Sequence, residues 1–147
     1  MTVTTDPFIS AYKGRFSSIL RWHQLDDFWH QLKTNAKDQI WYLYAVGQGV
    51  PENPENKEKI IEFINEIDIL LHQAHDEDYC GVVYVDDVEK PTFIKIFDPN
   101  NLGVSCGYSD NPPPPGWILS QIKPTDLQIN EIITGKRKRW WQRILNK

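Results

Sequence analysis

The side chains best suited to chemistry lie between residues 68 and 80. His72 lies four residues after Asp68, and His75 and Asp76 lie three and four after His72, so on a helix they share one side; Cys80 comes next, and Cys106 lies further on. Imidazole, thiolate and carboxylate are zinc-ligand chemistry, and an imidazole near a thiol is the start of a cysteine nucleophile. The order His-x2-His-x4-Cys with one distant Cys matches no dedicated zinc spacing, and no third group is apparent to orient a base. Cys80 and Cys106 are each followed by Gly, which close packing of two strands also produces. The expectation is a solvated helix edge followed by two unbridged, slow-reacting cysteines. His72, His75, Cys80 and Cys106 remain the alternative metal or thiol set.

A second constellation is the last twelve residues, KRKRWWQRILNK. They hold six Lys/Arg, two adjacent Trp and no acid. The other 135 residues keep ten of the 16 basic residues and all 20 acidic ones, a net of −10 against −4 for the whole chain. On a helix, Trp140, Trp141, Ile144 and Leu145 make an apolar edge flanked by Lys136, Arg137, Lys138, Arg139 and Arg143. Such a helix can lie on an anionic membrane surface or stack bases and grip phosphates. It can equally finish the core with its Trp side chains and turn its cations toward the acidic body, and that reading is preferred. A body of net −10 argues against a nucleic-acid surface beyond the tail.

The third is the stretch Asp98–Trp117 (DPNNLGVSCGYSDNPPPPGW), a long irregular segment with four consecutive prolines. Long ordered loops in small domains are often functional. A stiff polyproline II segment, Pro112, Pro113, Pro114 and Pro115, flanked by Tyr108 and Trp117, suits an aromatic groove on a partner; as readily, it is a rigid connector with Trp117 buried. The acidic runs Asp76–Asp78, Asp86-Asp87, Glu89 and Asp98 lack the spacing of a calcium loop and read as solvation of strand ends. No phosphate-binding glycine pattern occurs.

Composition sets the frame. A chain of 147 residues, 40% apolar and 12% aromatic, is one domain with a sizeable core. The longest clean apolar run is Ile40–Val46, far short of the roughly 20 residues a membrane span needs. The opening MTVTTDPF has neither a charged start nor an apolar stretch, so the expected compartment is the cytoplasm, with reduced cysteines.

The elements that must position these groups follow from hydrophobic period. Residues 1–5 read as a disordered lead-in. Asp6-Pro7 is a capping signal, and Ile9, Tyr12, Phe16 and Ile19, then Trp22, Leu25, Trp29 and Leu32, predict one helix or two meeting near Ser18, ending about Lys33. Ile40–Val46 predicts a strand buried on both faces. Asn53-Pro54 opens a helix to His75, with Ile60, Ile64, Ile67, Leu71 and Ala74 as its stripe, broadened by Phe63 and Leu70. The period then falls to two: Gly81–Asp86 and Thr92–Phe97 predict a hairpin. Val104–Tyr108 is a candidate strand, and Trp117–Gln121 an edge strand. Thr125 and Gln128 open a short helix that Gly135 ends. The fold class is α+β: a mostly antiparallel sheet of about four strands packed by N-terminal, central and C-terminal helices. Residues 1–135 form the domain, and 136–147 a basic aromatic tail.

The functional expectation is a non-catalytic accessory or adaptor protein that needs no cofactor. It binds another macromolecule, a protein before an anionic surface of another kind, through the proline loop, the tail or both. The alternatives are a small thiol- or metal-dependent enzyme using Cys80, Cys106 and His75, and a membrane-surface or RNA-binding module acting through the tail.

Overall fold

The computed structural model describes residues 6–74, 79–98, 114–127 and 135–145, without the side chains at 74, 79–81, 136 and 145. Among these are four helices and five strands: α1 (Pro7–Tyr12), β1 (Ser17–Arg21), α2 (Trp22–Asn35), β2 (Tyr42–Ala45), α3 (Lys57–Ala74), β3 (Tyr79–Val85), β4 (Phe93–Ile96), β5 (Trp117–Ser120) and α4 (Gly135–Leu145). The fold is α+β. All strand pairs are antiparallel and the order is β1-β3-β4-β5-β2.

Strand alternation sends side chains to two apolar layers. Leu43, Ala45, Val83, Val85, Ile94, Ile96, Trp117 and Leu119 join the larger one, with Leu25, Phe28, Trp29 and Leu32 of α2 and Ile60, Phe63, Ile64, Ile67 and Leu71 of α3. Tyr44, Phe93 and Ile118 face the other way, onto Phe8 of α1. The sheet is thus covered on both sides, and the stripes of α2 and α3 are buried from Leu25 to Leu32 and from Ile60 to Leu71, with Trp22 and Leu70 half-buried.

The hairpin β3–β4 pairs Val83 with Ile96 and Val85 with Ile94. The acids in its turn do more than solvate it. Asp86 Oδ1 accepts from the Thr92 and Phe93 amides at 3.0 and 3.1 Å, and Asp87 Oδ1 from those of Glu89 and Lys90. Both satisfy backbone donors that the reversal would leave unpaired.

Four sequence expectations are corrected. The single N-terminal helical stripe is broken: α1 ends at Tyr12, and Ile19 lies in β1, paired to Val83. Phe16 packs into the smaller layer and Ile19 into the larger, on opposite sides of the sheet. Only a strand divides them so; helical spacing would put them on one face. Second, α3 begins at Lys57, not Pro54, because Asn56 is the cap: its Oδ1 accepts from the Lys59 amide at 2.8 Å. Glu55 instead bridges Trp41. Third, β5 is no edge strand; it lies between β4 and β2 and is buried throughout. Fourth, Gly135 opens α4. The strand expected at Val104–Tyr108 and most of the helix expected from Thr125 lie outside the described residues.

A half-buried cation lies beside the smaller layer. Lys95 Nζ donates to Tyr12 O at 2.6 Å, an orphan carbonyl at the end of α1, and lies 4.1 and 4.0 Å from the ring centroids of Tyr12 and Phe16. Burial lowers the Lys95 pKa, so the rings and the carbonyl replace only part of its hydration. Phe93 sits beside it, with ring centroids 5.2, 6.4 and 5.5 Å from those of Phe8, Tyr12 and Phe16. Phe93→Ala empties the centre of this layer and should cost about 3–5 kcal/mol, read as a fall in urea midpoint at constant slope.

Candidate functional site

Trp141 is 6% exposed and Ile144 fully buried, so α4 presents its apolar edge to the rest of the protein. The Trp141 ring meets Phe63 of α3 edge-on at 6.2 Å. The half-buried Trp140 lies 5.2 Å from the ring of Trp117 and 6.4 Å from that of Phe63. Two turns of helix thus close the larger layer where α3 and β5 meet, and Lys59 Nζ donates to Ile144 O at 3.0 Å near the helix end.

Arg137 joins the tail to the proline loop. It is 8% exposed, and its guanidinium lies 3.5 Å from an oxygen of Asp98, itself nearly buried. Nη2 donates to Val46 O at 3.5 Å and to Gly116 O at 3.4 Å, and Cζ lies 5.1 Å from the Trp117 ring centroid. One forked cation therefore touches the chain just after β2, just after β4 and just before β5. A planar group with five donors suits this; a point charge does not. A Cβ at Gly116 would meet Nη2 at 3.4 Å, an ordinary contact, so the guanidinium packs directly over this glycine.

The remaining sequence candidates divide cleanly. Pro115 and Trp117 are buried and Pro114 is half-buried, so this end of the proline run packs against the protein. Tyr108, Pro112 and Pro113 lie outside the described residues, as does the side chain of Lys136. Lys138, Arg139 and Arg143 are exposed on the outer side of α4, Arg143 with 58% of its side chain accessible while 3.5 Å from Glu66. Of the alternative metal set, His72 stands exposed near the end of α3 and Cys80 belongs to β3 with its side chain undescribed. His75 and Cys106 lie outside the described residues.

Two participants escaped the sequence reading. Asp98 partners Arg137 rather than solvating a strand end. Asp26 of α2 stands beside Asp68 and His72 of α3, an arrangement able to hold a metal ion. Neither has a local signal, because each meets its partners only through tertiary packing.

Removing one member of a buried ion pair leaves the other charge uncompensated. Arg137→Ala should lower stability by about 3–5 kcal/mol in urea unfolding, and Arg137→Lys should restore only part of it. Arg139→Ala, on the outer side of the same helix, should change stability by no more than about 0.5 kcal/mol. Compared with protein-family models, with curated proteins and with solved structures, the chain matches none.

Proposed function

We propose that this protein is a non-catalytic accessory or adaptor protein that binds an acidic surface of a partner protein with the outer side of α4. The single supporting observation is the division of that helix. Its aromatic edge is committed to the core, while Lys138, Arg139 and Arg143 stand exposed on a chain whose net charge is otherwise negative. Three cations on a rigid, docked helix lose little further entropy on binding, whereas cations on a free tail must be ordered first. The acidic body repels an acidic partner everywhere else, which fixes the orientation of approach.

With Trp141 buried and Trp140 half-buried against Trp117, a role for these rings on a bilayer or between bases is less favoured, since both uses need the rings free. No helix among the described residues is long and apolar enough to cross a membrane. Contacts made by exposed charge are screened within about 8 Å at physiological ionic strength, so the interaction weakens as salt rises.

The test compares wild-type protein with the triple variant Lys138→Gln/Arg139→Gln/Arg143→Gln. The variant should fold with nearly unchanged stability, because exposed ion pairs such as Arg143–Glu66 contribute at most about 1 kcal/mol. A partner captured by the wild type from the source cell, identified and then titrated, should bind more weakly with rising salt. The triple variant should lose most of both the binding and the salt dependence. A partner held equally by both proteins, with the same response to salt, would place the contact elsewhere.

A further inference from the structure

On the face formed by α2 and α3, three ligating side chains come to one place. Asp26 of α2, and Asp68 and His72 of α3, each offer an atom within 4.8 Å of those of the other two. Asp68 and His72 are four residues apart, one turn above the other on one helix face. Asp26 follows the buried Leu25 and precedes the buried Phe28 and Trp29, so the packing of α2 on α3 sets it at the rim of their contact.

The surroundings support the cluster from behind. The His72 ring stacks on Trp22, with centroids 4.2 Å apart and planes 26° from parallel, which holds the imidazole plane. Trp29 is 3% exposed, and its indole N–H makes no hydrogen bond of ordinary geometry; the charge it favours is the Asp68 carboxylate. Asp68 Oδ1 is closed off from solvent and likewise accepts no hydrogen bond of ordinary geometry. It lies 3.4 Å from His72 Nε2. A charge-assisted hydrogen bond would draw these atoms to about 2.8 Å. Two ligands of a tetrahedral ion, each about 2.1 Å from it, are roughly 3.4 Å apart. Burial above all, together with repulsion from Asp26, raises the Asp68 pKa; His72 and Lys33 oppose this.

The geometry points to a binding site for one divalent first-row transition ion, held by Asp26, Asp68 and His72. One imidazole and two carboxylates suit zinc or manganese better than the all-oxygen shell that calcium prefers. Three protein ligands leave at least one position for water or for a donor from a bound partner. Trp29 is a positioning residue behind Asp68, and Trp22 one behind His72. The ion neutralises the two facing carboxylates and joins α2 to α3, so it stabilises the folded chain over the unfolded one. The site lies apart from the outer side of α4 and does not depend on the function proposed for it.

Zinc and cobalt(II) are titrated into the full chain, with calorimetry, thermal unfolding and the cobalt absorption spectrum as readouts. The wild type should take up a single ion at this site and unfold at higher temperature with it. Asp26→Asn and His72→Ala should each weaken binding by about tenfold or more, and Trp29→Phe, which keeps the packing, by about tenfold. Asp27→Asn removes the same charge from the neighbouring exposed position and should bind as the wild type does. Asp26→Asn relieves a repulsion, so its metal-free form should be at least as stable as wild type, which separates lost binding from lost folding. A wild type that takes up neither ion, or an Asp26→Asn protein that binds as tightly, would overturn the proposal. So would thiolate-to-cobalt charge-transfer bands, which would assign the ion to Cys80 or Cys106.

Discussion

An apolar sheet that must be covered on both sides is the constraint on which this structure turns. Ile94, Ile96, Trp117 and Leu119 need a cover on one face, and Phe93, Ile118 and Tyr44 on the other. The two long helices, α2 and α3, serve the first face. The second is served by the short α1, with Val50, Ile122 and Leu127 from irregular segments packed beside it. A six-residue helix is marginal by itself, and its ends show how it is held. Asp6 accepts from the Phe8 and Ile9 amides at the start, and Lys95 binds the last carbonyl at the end. The cover and the sheet are therefore linked by polar contacts as well as by apolar burial.

The same constraint explains where charge is tolerated inside. Arg137 is buried and Asp98 nearly so at the seam between β2, β4 and β5, where the guanidinium reaches Val46 O and shares Gly116 O with the Val46 amide. Desolvating a guanidinium there is costly, and an aromatic face, two carbonyls and a carboxylate together offset it. The tail is thereby divided by function. Its Trp side chains and Arg137 serve the fold, while Lys138, Arg139 and Arg143 stand outside.

The parts legible in the sequence were those whose signal is local. The stripe from Ile60 to Leu71 repeats at helical spacing for three turns, and the runs around Val83 and Ile94 alternate, so α3 and the hairpin could be read directly. The start of α3 was misplaced by one turn because Asn53-Pro54 and Asn56 offer competing caps, and the bridge from Trp41 to Glu55 decides between them. β1 was missed because Ile9, Tyr12, Phe16 and Ile19 fit helical spacing by coincidence; the pairing with β3 that overrides it joins residues far apart in the chain. The interior place of β5 was hidden for the same reason. For the candidate sites, the basic character of α4 was visible, but which of its cations is buried was not. His72 could be named, whereas Asp26 belongs with it only through the packing of two helices.

The order β1-β3-β4-β5-β2 has a temporal side. Chains are synthesised from the N-terminus, and β2 is made early, yet its partner in the sheet is β5, with Tyr42 opposite Ser120. Until that segment has emerged, Leu43 and Tyr44 have no ladder to join, and the hairpin β3–β4 offers an open edge on the side β5 will take. Trp141 and Ile144 arrive later still. Pairings of such wide separation form slowly, since a long loop must close before any contact rewards it. During synthesis the nascent chain therefore carries an unpaired apolar strand and an open sheet edge together, the period in which a chaperone has the most to hold and aggregation the most to act on.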